Sequence, residues 1–152
     1  MRILLYILLA LVLVTVATAV YVRLAPINAA DWHVEPEEVR PPSSPNFLLL
    51  AGPSAATVPA PALAVAGRLQ AIAEAEGAQV VAGSLGEGFV TYVARSRLMG
   101  FPDFITIRLV PEEDTTRLHI FARSRFGQSD LGVNTARVQR WLTAARDEAG
   151  GA

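Results

Sequence analysis

Two stretches of this 152-residue chain concentrate its polar chemistry: residues 94–103 read "ARSRLMGFPD" and residues 122–134 read "ARSRFGQSDLGVN". Each presents Arg-Ser-Arg, then a glycine turn and an aspartate. On a strand, alternate positions share a face, so Arg95 and Arg97 act together, as do Arg123 and Arg125. Planar guanidinium forks grip carboxylates and phosphates, so the chemistry implied is anion recognition. Asp103 and Asp130 stand just beyond the arginines as counterions. Asn134 or Asp130 can cap a helix that follows. The candidate cluster is therefore Arg95, Arg97, Arg123, Arg125, Asp103, Asp130 and Asn134. It reads either as an anion-binding face or as an ion-paired network that fixes strand ends. Structural ion pairs commonly imitate functional sites, and the structural reading is favoured.

Other chemistry finds little support. A serine hydrolase needs a base oriented beside its nucleophile, yet the only histidines are His33 and His119, and no Gly-x-Ser-x-Gly elbow occurs. His33-Val34-Glu35 could touch a metal, but one histidine in a proline-rich segment is a weak metal signal. "GSLGEG" at residues 83–88 is followed by no helix, so it reads as a hairpin turn and not a dinucleotide fingerprint. Zero cysteines exclude thiolate catalysis, disulfides and cysteine-bound metals. The net charge of -1 argues against nucleic acid as a partner. All 13 basic residues are arginine. The expectation is a non-catalytic chain with no cofactor and no metal site.

The elements that must position the arginines follow from periodicity. Pro61 suits a first helical turn and Gly77 the residue past the end, with Leu63, Ala66, Leu69 or Gln70, and Ile72 or Ala73 forming an apolar stripe between. Strand-like runs follow at residues 78–84, 89–97, 104–110 and 117–125, separated by turn chemistry at residues 86–88, 100–103 and 111–115. A last helix carries Val138, Trp141, Leu142 and Ala145 on one side. Short connections predict an α+β two-layer sandwich: a four-stranded antiparallel meander with two helices on one face. Alternation puts Val90, Tyr92, Ala94, Ile105, Ile107, Leu109, Leu118, Ile120 and Ala122 under the helices. The opposite face collects the arginines. The second and fourth runs are co-directional, so both Arg-Ser-Arg motifs arrive at the same end of the sheet.

Residues 1–25 form an anchor or a signal peptide. Ile3 to Val22 is uncharged between Arg2 and Arg23, about the ~20 apolar residues that span a bilayer. Tyr6 and Tyr21 bracket it as interfacial aromatics would. Ala17-Thr18-Ala19 offers a cleavage site, which keeps the signal-peptide alternative open. Arg2 and the amino terminus face Arg23 alone across the span, and Asp31, Glu35, Glu37 and Glu38 follow, which favours a single-pass protein of the inner (cytoplasmic) membrane, its domain in the periplasm or cell exterior. Residues 26–60 read as a Pro/Ala-rich linker or strap, in which Phe47 to Leu50 docks as an edge strand or hydrophobic clip. Residues 61–149 form the domain. Anionic lipid or an envelope component is the partner class such an arrangement would meet.

"SRLMGFPDFITIRL" and "RSRFGQSDLGVNTARV" resemble the two signature segments of the domain of unknown function 1499 family, and Ser44-Pro45-Asn46 resembles that family's Ser-Pro-Asn opening. The resemblance spans roughly residues 44–146. The chain departs from the pattern at Phe47, where the family has cysteine, at Leu49 and Leu50 in place of serines, at Phe104 beside Asp103, and at Phe121. It implies the fold and no activity.

Overall fold

The computed structural model describes residues 1–147. Helix α1 (Arg2–Leu24) runs 23 residues, about 35 Å at ~1.5 Å per residue. By length and composition it can cross a membrane. Its side chains stand exposed along nearly its whole length, and only Val22 is buried.

Among the described residues the sheet holds six strands: the four of the expected meander, the edge strand expected at Phe47–Leu50, and one more. β3 (Gln79–Ser84), β4 (Phe89–Arg95), β5 (Pro102–Pro111) and β6 (Thr116–Ser124) form the antiparallel meander. Two further strands come from the segment read as strap. β1 (Phe47–Leu50) and β2 (Ala56–Val58) pair one after the other along the outer edge of β6. A 3-10 turn at Gly52–Ser54 separates them, and the Gly52 amide donates to His119 Nδ1 at 3.3 Å. The order across the sheet is β1-β6-β5-β4-β3, with β2 beside β1 on β6. The sequence pattern missed the second half of this edge because β2 has only three residues, flanked by prolines.

Helices α2 (Ala62–Ala75) and α3 (Val133–Arg146) cover one face. Gly77, at φ +70°, closes α2 with paired bonds from Ala78 N–H to Ala73 O and from Gly77 N–H to Glu74 O. That double closure needs a left-handed residue, which glycine adopts without a Cβ clash. The helices bury Val65, Leu69, Val138, Trp141 and Ala145 against Val90, Ile105, Ile107, Leu118 and Ile120. Trp141 meets Tyr92 edge-on, with ring centroids 5.5 Å apart. The alternation of the strands therefore assigned the helix-covered face correctly.

Candidate functional site

The opposite face of the sheet is also covered, by the segment between α1 and β1. Trp32 lies flat on Phe104, centroids 3.6 Å apart and planes 13° from parallel. His33 packs on Phe89 at 3.9 Å. Glu35 takes a two-pronged hydrogen bond from Arg108, Nε donating to Oε2 at 3.0 Å. Arg108 itself sits over the Phe89 ring. The strap thus forms a third layer.

Beneath it runs a hydroxyl chain. Thr106 Oγ1 donates to Trp32 O at 2.9 Å, because a carbonyl can only accept. Thr106 then accepts from Thr91 at 2.9 Å, and Thr91 accepts from His33 Nδ1–H at 3.0 Å. Both threonines are fully buried. The direction of donation leaves His33 a donor toward Thr91, so it cannot serve as the base for that hydroxyl. The chain ends on a backbone carbonyl. It fastens the strap.

Three of the four motif arginines do the same work at the sheet's end. Arg95 Nη1 donates to Gly100 O at 3.0 Å and Val22 O at 3.4 Å. Arg125 Nη1 donates to Pro26 O at 2.8 Å and Ala25 O at 3.5 Å. Arg123 Nη2 donates to Asp31 O at 2.7 Å, its guanidinium lying over both Trp32 and Phe121. Burial pulls the Arg123 guanidinium below its ordinary range, an effect that the Asp31 charge partly offsets. Reciprocally, Arg23 Nη2 donates to Leu98 O at 2.9 Å. The last carbonyls of a helix lack intrahelical donors and carry the negative end of its dipole, so cationic donors there are doubly favourable. The doubled Arg-Ser-Arg motif is a socket for the end of α1 and the strap that leaves it. Arg97 lies apart from this set, exposed in the turn after β4.

The two aspartates do not serve as counterions to these arginines. Asp103 shares its parity with Ile105 and so faces the helices. Its Oδ1 accepts from Ser124 Oγ at 2.6 Å and its Oδ2 from Arg137 Nη1 at 2.9 Å. Asn134 closes the network, with Nδ2 donating to Ser124 Oγ at 3.0 Å and Oδ1 accepting from Arg137 at 3.3 Å. Asp130 caps α3, taking the amides of Gly132 at 3.0 Å and Asn134 at 2.9 Å. Burial pushes its carboxyl up, but the hydrogen bonds from Asn134 and Gly132 together hold it below the ordinary range. The structure thus splits the expected cluster in two: Arg95, Arg123 and Arg125 on the strap side, and Asp103, Asp130 and Asn134 on the helix side.

Sequence reasoning missed Arg137 and Trp32. Arg137 was findable, because it sits on the buried stripe of Asn134, Val138 and Trp141 at helical spacing. Glu76 holds it from the other side at 3.7 Å and also pairs with Arg140 at 2.8 Å. Burial raises the Glu76 carboxyl, while the hydrogen bond from Arg140 and the charges of Arg140 and Arg137 bring it below the ordinary range. Among the described residues no group of three or more His, Asp or Glu is placed to hold a metal ion.

No curated protein and no solved structure matches the chain. The profile of one family, described as protein of unknown function (DUF1499), matches residues 34–144. That span runs from the strap into α3 and takes in β1, both Arg-Ser-Arg motifs and the Asp103–Arg137 network, so the chain belongs to the DUF1499 family.

Proposed function

We propose that this is a single-pass protein of the inner (cytoplasmic) membrane. Its folded domain lies outside the cytoplasm and is structural or envelope-associated, without catalytic activity of its own. The observation that carries this reading is the socket: the sheet spends its arginine face on the chain's own anchor and strap. A domain that tumbled freely on a flexible linker would need no such fixture. Here the last turn of α1 and the end of the sheet are bonded in both directions, by Arg95 and Arg125 one way and Arg23 the other. The buried His33–Thr91–Thr106 chain supports a non-catalytic role, because its protons end on a carbonyl. The alternative, an anion or lipid-headgroup site on the arginine face, requires the strap to leave first.

Orientation rests on charge. Arg2 and the amino terminus precede the span and Arg23 alone directly follows it, while in the strap Asp31, Glu35, Glu37 and Glu38 outnumber Arg40. A reporter active only outside the cytoplasm, fused after Ala152, is expected to be active, and carbonate washing is expected to leave the protein in the membrane fraction. Activity of a cytoplasmic reporter at that position would overturn the orientation. Release by carbonate would overturn the anchor.

A further inference from the structure

The socket has a geometric consequence at the end of the domain nearest the anchor. Tyr21, in the last turns of α1, meets Phe126 edge-on at 6.2 Å, and Phe126 meets Phe101 at the same distance. Arg23 lies against the turn at Leu98 and Gly100. The 96–101 turn and the loop after β6 therefore lie level with the end of α1, at the depth where a spanning helix leaves the hydrocarbon. These two loops display the most exposed large apolar side chains of the folded domain at this end, with Leu98 85% and Leu131 93% exposed. Leu131 is moreover the single non-glycine residue with positive φ among those described, at +53°. A left-handed leucine carries backbone strain that glycine would avoid, and its side chain is almost wholly exposed.

Charge is distributed to match. The hairpin at the far end of the sheet carries Glu112, Glu113 and Asp114, whereas the anchor end carries exposed Arg23 and Arg97. Asp103 and Asp130 at that end are already bonded inside the domain. β5 alone, at ten residues, separates the two ends by about 30 Å. The far hairpin is acidic, whereas the anchor end is apolar and basic around Leu98, with exposed Asp31 set apart beside Arg123.

We propose that Leu98 and Leu131 form a second membrane contact, a two-loop wedge seated in the headgroup region of the bilayer that α1 crosses. Arg23 and Arg97 beside it face lipid phosphates. This inference rests on α1 being a membrane anchor. Apolar side chains between guanidiniums suit an interface where hydrocarbon meets anionic oxygen. The contact fixes the tilt of the domain, as the socket fixes its attachment.

The absence of native cysteine permits a direct test on the full chain. Single variants Leu98→Cys, Leu131→Cys, Val12→Cys and Asp114→Cys carry a polarity-sensitive fluorophore. They are reconstituted in phosphatidylcholine–phosphatidylglycerol vesicles brominated high on the acyl chain, to reach 98, 131 and 114, and in a second set brominated near the chain end, to reach 12. Labels at 98 and 131 are expected to shift to the blue and lose most of their emission to bromine, while the label at 114 stays at its aqueous wavelength, unquenched. Quenching at 12 with aqueous behaviour at 98 and 131 overturns the wedge and leaves the anchor standing. A blue shift at 98 and 131 without bromine quenching also overturns it, since the cover is then protein. Absence of quenching at 12 overturns both readings.

Discussion

Trp141→Ala is expected to destabilise the domain by about 3–5 kcal/mol, the usual range for removing a fully buried indole. Trp141 is 1% exposed and joins α3 to the sheet through Tyr92 and the Ile105–Ile107 row. The loss comes chiefly from packing and the cavity left behind, so Trp141→Phe, which keeps a buried ring, should cost distinctly less. Urea unfolding of the detergent-solubilised chain, followed by far-ultraviolet circular dichroism, measures both variants. A loss below about 1 kcal/mol for the alanine variant would mean that α3 is not packed on the sheet as described.

The second large effect is expected at Asp103 and Arg137. Their side chains are each 10% exposed, with charges 2.9 Å apart. Removing either partner strands the other in a low-dielectric site, which typically costs about 3–5 kcal/mol. Asp103→Ala should fall at the lower end, because Glu76 remains 3.7 Å from Arg137. Arg137→Met leaves Asp103 with only its bond to Ser124. The double variant should lose clearly less than the sum of the two singles, since neither charge is then abandoned. Strict additivity would show that the two side chains do not interact. The pair joins the start of β5 to α3, so its loss should loosen the end of the sheet that also holds the socket.

Much of this was legible in the residue pattern, and the unread part has physical causes. Strand alternation depends only on period two, so Ile105, Ile107, Leu118 and Ile120 could be placed under the helices before any coordinates. Gly77, which lacks a Cβ and adopts a left-handed φ, and Asp130, whose carboxylate accepts amide N–H groups, announced a helix end and a helix start. The same alternation, carried two residues further back, puts Asp103 on the helix side with Ile105. Reading it instead as a counterion to Arg95 and Arg97 ignored that parity. The partners of Arg95, Arg123 and Arg125 were beyond reach for another reason. They are the backbone carbonyls of Gly100, Val22, Ala25, Pro26 and Asp31, and a carbonyl acceptor has no signature in a sequence because every residue carries one. Guanidiniums side by side suggest an anion when only side chains are considered. A frayed helix end offers them the same partial negative charge. Trp32 was hidden similarly, since a single aromatic among prolines shows no periodicity that would reveal its seat on Phe104.

The repeated motif thus serves the chain's own architecture, and the strap is where that claim is most exposed. The amides of Trp32 and His33 both bond to Ala29 O, at 3.1 and 2.8 Å, and should be protected while the strap lies on the sheet. Hydrogen exchange across residues 26–40 of the full chain in nanodiscs, compared between the native protein and an Arg95→Gln, Arg123→Gln, Arg125→Gln variant, addresses the socket directly. The strap amides are expected to be protected in the native chain and to lose that protection in the variant, with exchange in β4, β5 and β6 unchanged. Strap amides that exchange freely in the native chain, or that stay equally protected without the three arginines, would contradict the account.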